Sequence, residues 1–499
     1  MVTEIIVIGA YMRVSTVATA LLASSLLAGC TVGPDYRRPT LAAPTTFMGA
    51  TAVTARTPSS ASVAGDDAWW SRFGDPILTD LVGKALDQNL DIAQSIARVT
   101  QTRAGLRQAN AALLPSGTTS GSAAAQKLSQ DTLQGRQLTA FGVGRNVESY
   151  EADLGASWEV DLFGGLRRDR EAAFDEYQAS RAGVAAARLS VAAQVADTYI
   201  AIRGLQARMA VAAKQVATQQ RLVDTVGLQY RKGVAAELQL RQAQGVLAQV
   251  QGTVPMLRIA LDGSLNALDV LMGAQPGTYR AQLAAPVAIP HAPAIAAIGS
   301  PADLLQRRPD LIVAERRLAA SNARIGSAIS EYYPKFSLSG LLGTAATGPS
   351  NLLTGSATQA QGVFGLRWRL FDFGRVDAEI ASARGANAEA LAAYRLAVLR
   401  ASEDVENAFS ALVNREQQQA ILTDGETALA RAQQSSMAAY KGGVVSLIEV
   451  LDADIRLLQT RDSLAQARTE SARAAVASFR SLGGGWDFTN PDTNGRAAL

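Results

Sequence analysis

Few residues in this sequence can do chemistry. One Cys and one His occur among its 499 residues. A structural zinc site takes four such ligands, and a histidine triad needs a positioned imidazole, whereas His291 sits between Pro290 and Pro293 in a loop-like stretch. No phosphate-cradling glycine loop is present. Carboxylates are the remaining candidates. Glu159 and Asp161 stand two apart and would point the same way on a strand, as a glycosidase pair must, but no aromatic-lined pocket accompanies them. Glu449, Asp452 and Asp454 share one stretch, and the ordinary reading of such a group is a solvated face. With 47 basic and 44 acidic side chains interspersed, the net charge of +3 leaves no nucleic-acid footprint. The expectation is therefore no catalytic residue, no metal and no cofactor, and the residues that matter must be those that build an architecture.

The lone thiol closes an address. Residues 14–27 are apolar, preceded by Arg13 and followed by Ala28 and Gly29, the charged, apolar, small-residue order of a secretory signal. The run is too short to span a bilayer. Leu27-Ala28-Gly29-Cys30 resembles the lipobox of bacterial lipoproteins, which implies cleavage before Cys30 and acylation of its sulfur and amine. At roughly 0.8 kcal/mol per buried methylene, several acyl chains make a lasting anchor. The other reading is a soluble-secretion signal with a stray thiol. Thr31 is not the Asp that in such lipoproteins resembles an inner-membrane retention signal, so the resemblance points to the outer membrane. Because the apolar core starts right after Met12-Arg13, translation is expected to begin at Met12 rather than Met1. Residues 1–29 read as signal peptide. Residues 30–65, rich in Pro, Thr, Ala and Ser, read as a lipid-anchored extended segment without a core of its own.

The rest of the chain is written twice, at an offset of about 210. Trp158 matches Trp368, Phe163-Gly164 matches Phe373-Gly374, Tyr230 matches Tyr440, Gly233-Val234 matches Gly443-Val444, and Gly273 matches Gly483. Upstream the register slips, and Leu114-Pro115-Ser116 resembles Tyr333-Pro334-Lys335. Copy one is expected over 66–280 and copy two over 301–486, with a Pro-rich linker at 281–300 and a flexible tail at 487–499. Each copy reads as a helix, two strands and two long helices. Residues 166–229 and 375–439 contain no Pro and little Gly, and about 65 helical residues reach roughly 95 to 100 Å. Val195, Ile202, Met209, Val216, Val223 and Tyr230 recur every seven residues, with Leu205, Ala212 and Val226 as companions, which predicts antiparallel coiled-coil packing. Pro255 is expected to kink the return helix.

The strands alternate. In residues 150–161, Tyr150, Ala152, Leu154, Ala156, Trp158 and Val160 face one way and Glu151, Asp153, Ser157, Glu159 and Asp161 the other. Copy two sets Phe364, Leu366, Trp368 and Leu370 against Arg367 and Arg369, and a strand after Pro334 sets Phe336 and Leu338 against Lys335, Ser337 and Ser339. The strand after Pro115 is Ser-, Thr- and Gly-rich and poorly marked. One apolar and one charged face fits a wall between lipid and water, or half of a soluble sheet. The secretory address and the lack of strands for a second sheet favour the wall. Four strands cannot close a barrel, yet lipid tolerates no open edge, so several chains must pool strands. Three chains would supply twelve strands and twelve long helices. The fold class is thus mainly α with a small β part, an internal two-fold repeat, and a trimer forming a β-barrel and an α-barrel.

Several motifs together resemble one family. These are Val32-Gly33-Pro34-Asp35-Tyr36 after the lipobox, Trp69-Trp70 leading to Phe73-Gly74-Asp75-Pro76, Leu305-Gln306-Arg307-Arg308-Pro309-Asp310, and Leu482-Gly483-Gly484-Gly485-Trp486. They resemble the outer-membrane efflux lipoproteins of the TolC-like, NodT-type family over nearly the whole mature chain. The resemblance implies a homotrimer whose barrel crosses the outer membrane lipid and continues as a periplasmic helical tunnel. It also implies a periplasmic adaptor and an inner-membrane pump of the resistance-nodulation-division (RND) type as partners, and passive export of small molecules. It puts adaptor contacts at the hairpin turns, here Tyr230, Gly233 and Val234 with Tyr440, Gly443 and Val444, and a periplasmic gate at Ile448 and Asp452. The strand alternation, set in such a barrel, makes Glu151, Asp153, Glu159, Asp161, Arg367 and Arg369 barrel lumen, and Leu154, Trp158, Phe364, Leu366 and Trp368 barrel lipid face. Copy one carries Gln239 and Gln242 opposite Glu449 and Asp452, so an acidic ring comes from the second hairpin alone. A related conduit for secreted proteins is the alternative, which the lipobox disfavours, and a lipid-anchored coiled coil without a pore is a second.

Overall fold

The computed structural model describes residues 31–40, 45–56, 68–142, 144–295 and 300–484, so the expected signal peptide, Cys30 and the tail at 487–499 lie outside the described residues. Helices are α1 (Ala50–Thr54), α2 (Pro76–Gln88), α3 (Leu90–Ala111), α4 (Leu133–Ala140), α5 (Gly165–Arg231), α6 (Glu237–Leu271), α7 (Pro301–Arg307), α8 (Pro309–Ser330), α9 (Arg375–Lys441) and α10 (Leu447–Ser481). Strands are β1 (Ser116–Lys127), β2 (Asn146–Val160), β3 (Lys335–Ala346) and β4 (Thr358–Arg367). The repeat is visible in the lengths: α5 and α9 have 67 residues each, and α6 and α10 have 35 each. In the same way α3 and α8 have 22 each, and β1 and β3 have 12 each. The chain forms two compact units that cut across the copies. One joins Thr100–Gln178 and Glu315–Ala393 to the residues up to Pro39, and the other joins Thr40–Val99, Ala179–Ala314 and Tyr394–Leu499.

The first unit holds an antiparallel sheet in the order β1-β2-β3-β4. β1, poorly marked in the sequence, is ordered by pairing with β2 along its whole length, from Ser116↔Ser157 to Lys127↔Asn146. β2 pairs with β3 from Tyr150↔Ala346 to Val160↔Phe336, and β3 with β4 from Lys335↔Arg367 to Thr344↔Thr358. Directly paired residues share a face, so Trp158, Leu338 and Phe364 lie in one row and Leu154 and Leu342 in another. Each Trp that ends this apolar face is latched alike. Trp158 Nε1 donates to the Leu113 carbonyl at 3.0 Å, and Trp368 Nε1 to the Tyr332 carbonyl at 2.9 Å, both acceptors lying two residues before a Pro.

Four residues expected on strands lie outside them. β2 ends at Val160, and the Asp161 carboxylate instead accepts from the Leu166 and Arg167 backbone amides at 3.3 and 2.9 Å, capping α5. β4 ends at Arg367, so Trp368, Arg369 and Leu370 follow the strand. The cause is the missing neighbour: the equivalent Trp158 and Val160 are held only by β3, and β4 has no strand on that side among the described residues. Helix α4, in the β1–β2 loop, had no sequence signal.

The second unit is helical. Its core collects Val195, Tyr199, Ile200 and Ile202 of α5, Leu268 of α6, Val405 and Phe409 of α9, and Phe479 of α10. Trp69 stacks on Phe479 at 5.4 Å. Caps join elements: Asp75 accepts from the Ile77 and Leu78 amides at 2.9 and 3.1 Å, and from the Tyr199 hydroxyl at 2.6 Å. Burial first, then that bond to Asp75, pushes the Tyr199 hydroxyl up to about 12. Fully buried Arg203 donates to the Ala285 carbonyl at 2.8 Å and ties the linker to α5. Arg308, from the quoted Arg-Arg-Pro-Asp motif, reaches the Ser481 and Ala401 carbonyls, both at 3.3 Å, and the carboxylates of Asp310 and Asp404 at 2.8 and 3.1 Å. Pro255 sits inside α6 without ending it.

The heptad seam holds only in part. Val195 and Ile202 are buried as expected, but further along α5 the buried line runs through Ala212, Gln219 and Val226, which keep the companion spacing, together with Gln215 and Leu222, and not through Met209, Val216 and Val223. A glutamine can take a seam position where it has a polar partner across the interface. α5 lies tightly against α10 at Gly204, where a Cβ would stand 2.2 Å from Thr469 Oγ1. Gly204→Ala is expected to destabilise the protein by about 1–3 kcal/mol despite its better helix propensity, and adding Thr469→Ala to restore part of the loss. Thermal melting followed by circular dichroism checks this, and a stabilised single variant would show the contact is not tight.

Candidate functional site

The sheet carries both kinds of surface that a lipid–water wall needs. On its apolar face Leu154, Leu338, Leu342, Phe364, Leu366 and the trailing Trp368 and Leu370 are exposed in the single chain, and Phe336 stacks on Phe364 at 5.8 Å. On the other face Glu151, Asp153 and Glu159 of β2 share rows with Ala345, Gly343 and Ser337 of β3. Asp153 accepts from Gln359 Nε2 of β4 at 2.8 Å, across the intervening strand. Gly343 leaves the room, since a Cβ there would lie 1.9 Å from the Asp153 carboxylate. Arg367 pairs with Lys335 in the last row. Glu331 faces both cations that follow, accepting from Lys335 and pairing with Arg369 at 3.0 Å.

The segment that follows Cys30 is clamped to the same unit. Val32 N donates to the Phe163 carbonyl at 3.0 Å. The buried Arg168 guanidinium reaches the Val32 and Gly33 carbonyls at 3.2 and 3.3 Å and the Asp35 carboxylate at 2.7 Å. Asn322 donates to the Pro34 carbonyl at 2.9 Å, and the Tyr36 hydroxyl to Glu315 at 2.7 Å. Gly33 has φ 91° and lies against Gly326, where an added Cβ would sit 2.4 Å from Cα. The Val-Gly-Pro-Asp-Tyr stretch is therefore tightly docked.

Each long helix pair ends in the same turn. Gly233 N donates to the Tyr230 carbonyl and Val234 N to the Gln229 carbonyl, both at 2.9 Å, while Gly443 and Val444 repeat this on Tyr440 and Ala439 at 3.0 and 2.9 Å. Both glycines are left-handed, at φ 74° and 73°, the arrangement that closes a helix C-terminus. Val234 and Val444 are exposed. The Tyr440 hydroxyl donates to Gln229 Oε1 at 2.8 Å, linking the two turns, and Leu222, Val226, Leu447, Val450 and Leu451 pack together behind them. Ile448 is exposed, and exposed Asp452 pairs with Arg456 at 2.8 Å.

Comparison with known proteins decides the family. The model of the family described as "Outer membrane efflux protein" matches residues 81–274 and 301–484, one match for each repeat copy. This chain belongs to the outer membrane efflux protein family. It is 32% identical over 441 residues to the pyoverdine export outer membrane protein OpmQ of Pseudomonas putida, covering 87% of this chain and 92% of that relative. Nodulation protein T of Rhizobium leguminosarum bv. trifolii is 29% identical over 468 residues, covering 93% and 96%. The solved structure of the outer-membrane channel OprN superposes with a TM-score of 0.83 at 33% identity, covering 91% of this chain and 99% of that one. Members of the family are outer-membrane channel proteins, and the outer membrane is where this efflux protein works.

The sequence missed one acid in the efflux protein. Asp454, grouped above with Glu449 and Asp452 as a solvated face, is buried, and Gln219 Nε2 donates to it at 3.1 Å. Burial is the largest influence and pushes its carboxyl above the ordinary range, against hydrogen bonds from Gln433 and Gln219 and the charge of Arg461. Arg461 is itself paired with Glu426 at 2.7 Å. A carboxyl held above its unfolded value stabilises the packed helices fully below about pH 3.9, and the contribution is lost as pH rises through the raised value. Amide protection in residues 447–460, corrected for intrinsic exchange, is expected to fall as pH rises from about 4, and to be flat in Asp454→Asn. Wild-type protection independent of pH would refute this role.

Proposed function

We propose that the protein is the exit duct of a tripartite efflux pump, in which three copies pool their sheets into a barrel across the outer membrane and their long helices into a periplasmic tunnel. The observation that carries this reading is the four-stranded sheet itself. It has one apolar face and one carrying Glu151, Asp153, Glu159 and Arg367, and both its edges lack a partner among the described residues. Lipid admits no such edge, so the strands must close with those of other copies. The apolar face, with Leu154, Trp158, Phe364, Leu366 and Trp368, then meets lipid, and the polar face lines a wet lumen. Asp161 and Arg369 border that lumen at the strand ends.

The duct is passive, with its energy supplied by an inner-membrane pump of the RND type. A periplasmic adaptor engages the turns around Tyr230, Gly233, Val234, Tyr440, Gly443 and Val444, and the tip is narrowed by Ile448 and Asp452. Support comes from the exposure of both valines and of Ile448, and from the outward-facing Asp452. Three copies of Asp452 would attract cations and repel anions at a narrow point. Lipidation of Cys30 anchors the mature chain. Docking of residues 32–36 at the start of α5, next to the end of β2, supports this, because it holds the chain at the strand ends from Val32, two residues after Cys30.

Purified protein in planar bilayers tests the reading. It should form trimers that conduct ions, and deletion of the gene should raise sensitivity to some members of a panel of antibiotics, dyes and metals. Protein that stays monomeric in detergent and carries no current would end it. Asp452→Ala is expected to raise single-channel conductance and weaken cation selectivity, and unchanged currents would count against the gate assignment. Cys30→Ser should leave the fold intact and abolish labelling by radioactive palmitate, and persistent labelling would refute the lipid site.

A further inference from the structure

The internal repeat specifies the seam between copies. Residues of β1 and β3 correspond at an offset of 219, and those of β2 and β4 at 210, as the helix starts Leu90 and Pro309, and Gly165 and Arg375, also do. The chain contains its own check of this rule. Carried forward by 219 and 210, the β1–β2 pair Ser116↔Ser157 becomes Lys335↔Arg367, which is the observed β3–β4 register.

Applying the same shifts to the β2–β3 junction gives a junction for which the chain holds only half the strands. Ala156↔Gly340 becomes Leu366 opposite residue 121, Leu154↔Leu342 becomes Phe364 opposite 123, Trp158↔Leu338 becomes Trp368 opposite 119, and Val160↔Phe336 becomes Leu370 opposite 117. We propose that β4 of one copy pairs antiparallel with β1 of the next in this register. Leu366 then faces Gly121, and Phe373 packs on Leu114, just as Phe163 stacks on Tyr333 within the chain. The inference rests on the reading that copies pool their strands, and adds which residues meet.

Three observations support this register. Trp368, Arg369 and Leu370 follow the end of β4, although their counterparts Trp158, Glu159 and Val160 are strand residues held by β3 alone. The seam supplies them with residues 117–119. Phe163 stacks on Tyr333 at 4.5 Å, whereas Phe373 is 100% exposed at φ 53°, a left-handed conformation uncommon for a bulky side chain. Leu114, the counterpart of Tyr333, is likewise exposed. The sizes also match: the large residues Leu370, Trp368, Leu366 and Phe364 fall opposite Gly117, Thr119, Gly121 and Ala123, so the small side chains of β1 make room for those of β4.

Paired cysteines in the full-length protein, oxidised in outer membranes and read on non-reducing gels, test the register. A Cβ at residue 121 meets nothing nearer than the Glu151 carbonyl at 3.8 Å, so the variant is tolerated. Leu366→Cys with Gly121→Cys should crosslink copies into a covalent ladder absent from either single variant, as should Phe373→Cys with Leu114→Cys. Leu366→Cys with Gly117→Cys or with Ala125→Cys should not, since four residues along a strand are about 13 Å. Preferential crosslinking at 117 or 125 overturns the register while leaving the pooled barrel standing. The absence of every ladder in protein that still runs as a trimer overturns the seam. A wild-type protein that is monomeric overturns the seam and the duct together.

Discussion

Everything in the structure depends on the fate of two rows of backbone amides and carbonyls, those on the outer edges of β1 and β4. In water such groups are satisfied by solvent. In hydrocarbon each one left alone costs several kcal/mol. A single copy therefore has no stable state in the membrane, and assembly is part of folding. The dependence reaches into local structure, where β4 stops short of Trp368 while β2 continues through its equivalent, because one has a neighbour and the other waits for one.

A second constraint runs through the helical unit. Helices this long and this rich in alanine have little large apolar surface to exclude alternative registers, and polar clasps do the selecting. Arg208 grips Asp462 with two bonds of 2.7 and 2.9 Å, and Arg473 grips Asp197 with 2.8 and 2.9 Å, both between α5 and α10. Planar forks of this kind fix rotation and height together. Arg308 does the same at the other end of the hairpin by collecting the carbonyl of Ser481, so the most recognisable sequence motif proves to cap a helix.

The sequence was most informative where a pattern repeats. Alternation in residues 150–161, the absence of Pro in 166–229 and the duplicated Tyr-x-x-Gly-Val turns each have one strong local cause and each falls on an element of the expected kind, the helix within two residues of its expected ends and β2 starting four residues earlier, at Asn146. It was least informative where tertiary contact decides. β1 carries no hydrophobic pattern and is a strand because β2 lies beside it. Asp161 continues the alternation but is drawn off to cap a helix, and Asp454 reads like its neighbour Asp452 until the packing of α5 and α9 buries it. The shift of the heptad seam to Gln215 and Gln219 has the same origin, since a periodicity count scores glutamine as solvent-facing and cannot see an acceptor on another helix.

The docked stretch after Cys30 also bears on mobility. Lipoproteins commonly hang from their acyl chains on a slack leash. Here the stretch is held from Val32 onward by Arg168 and Asn322 on its backbone and by Glu315 on the Tyr36 hydroxyl, leaving only Thr31 between the grip and the thiol. A tether without slack adds no reach. Acylated at Cys30 as proposed, it would behave as a depth gauge, because the acyl chains and the apolar face of the sheet would have to agree on where the bilayer lies, and a membrane of the wrong thickness would set the two against each other.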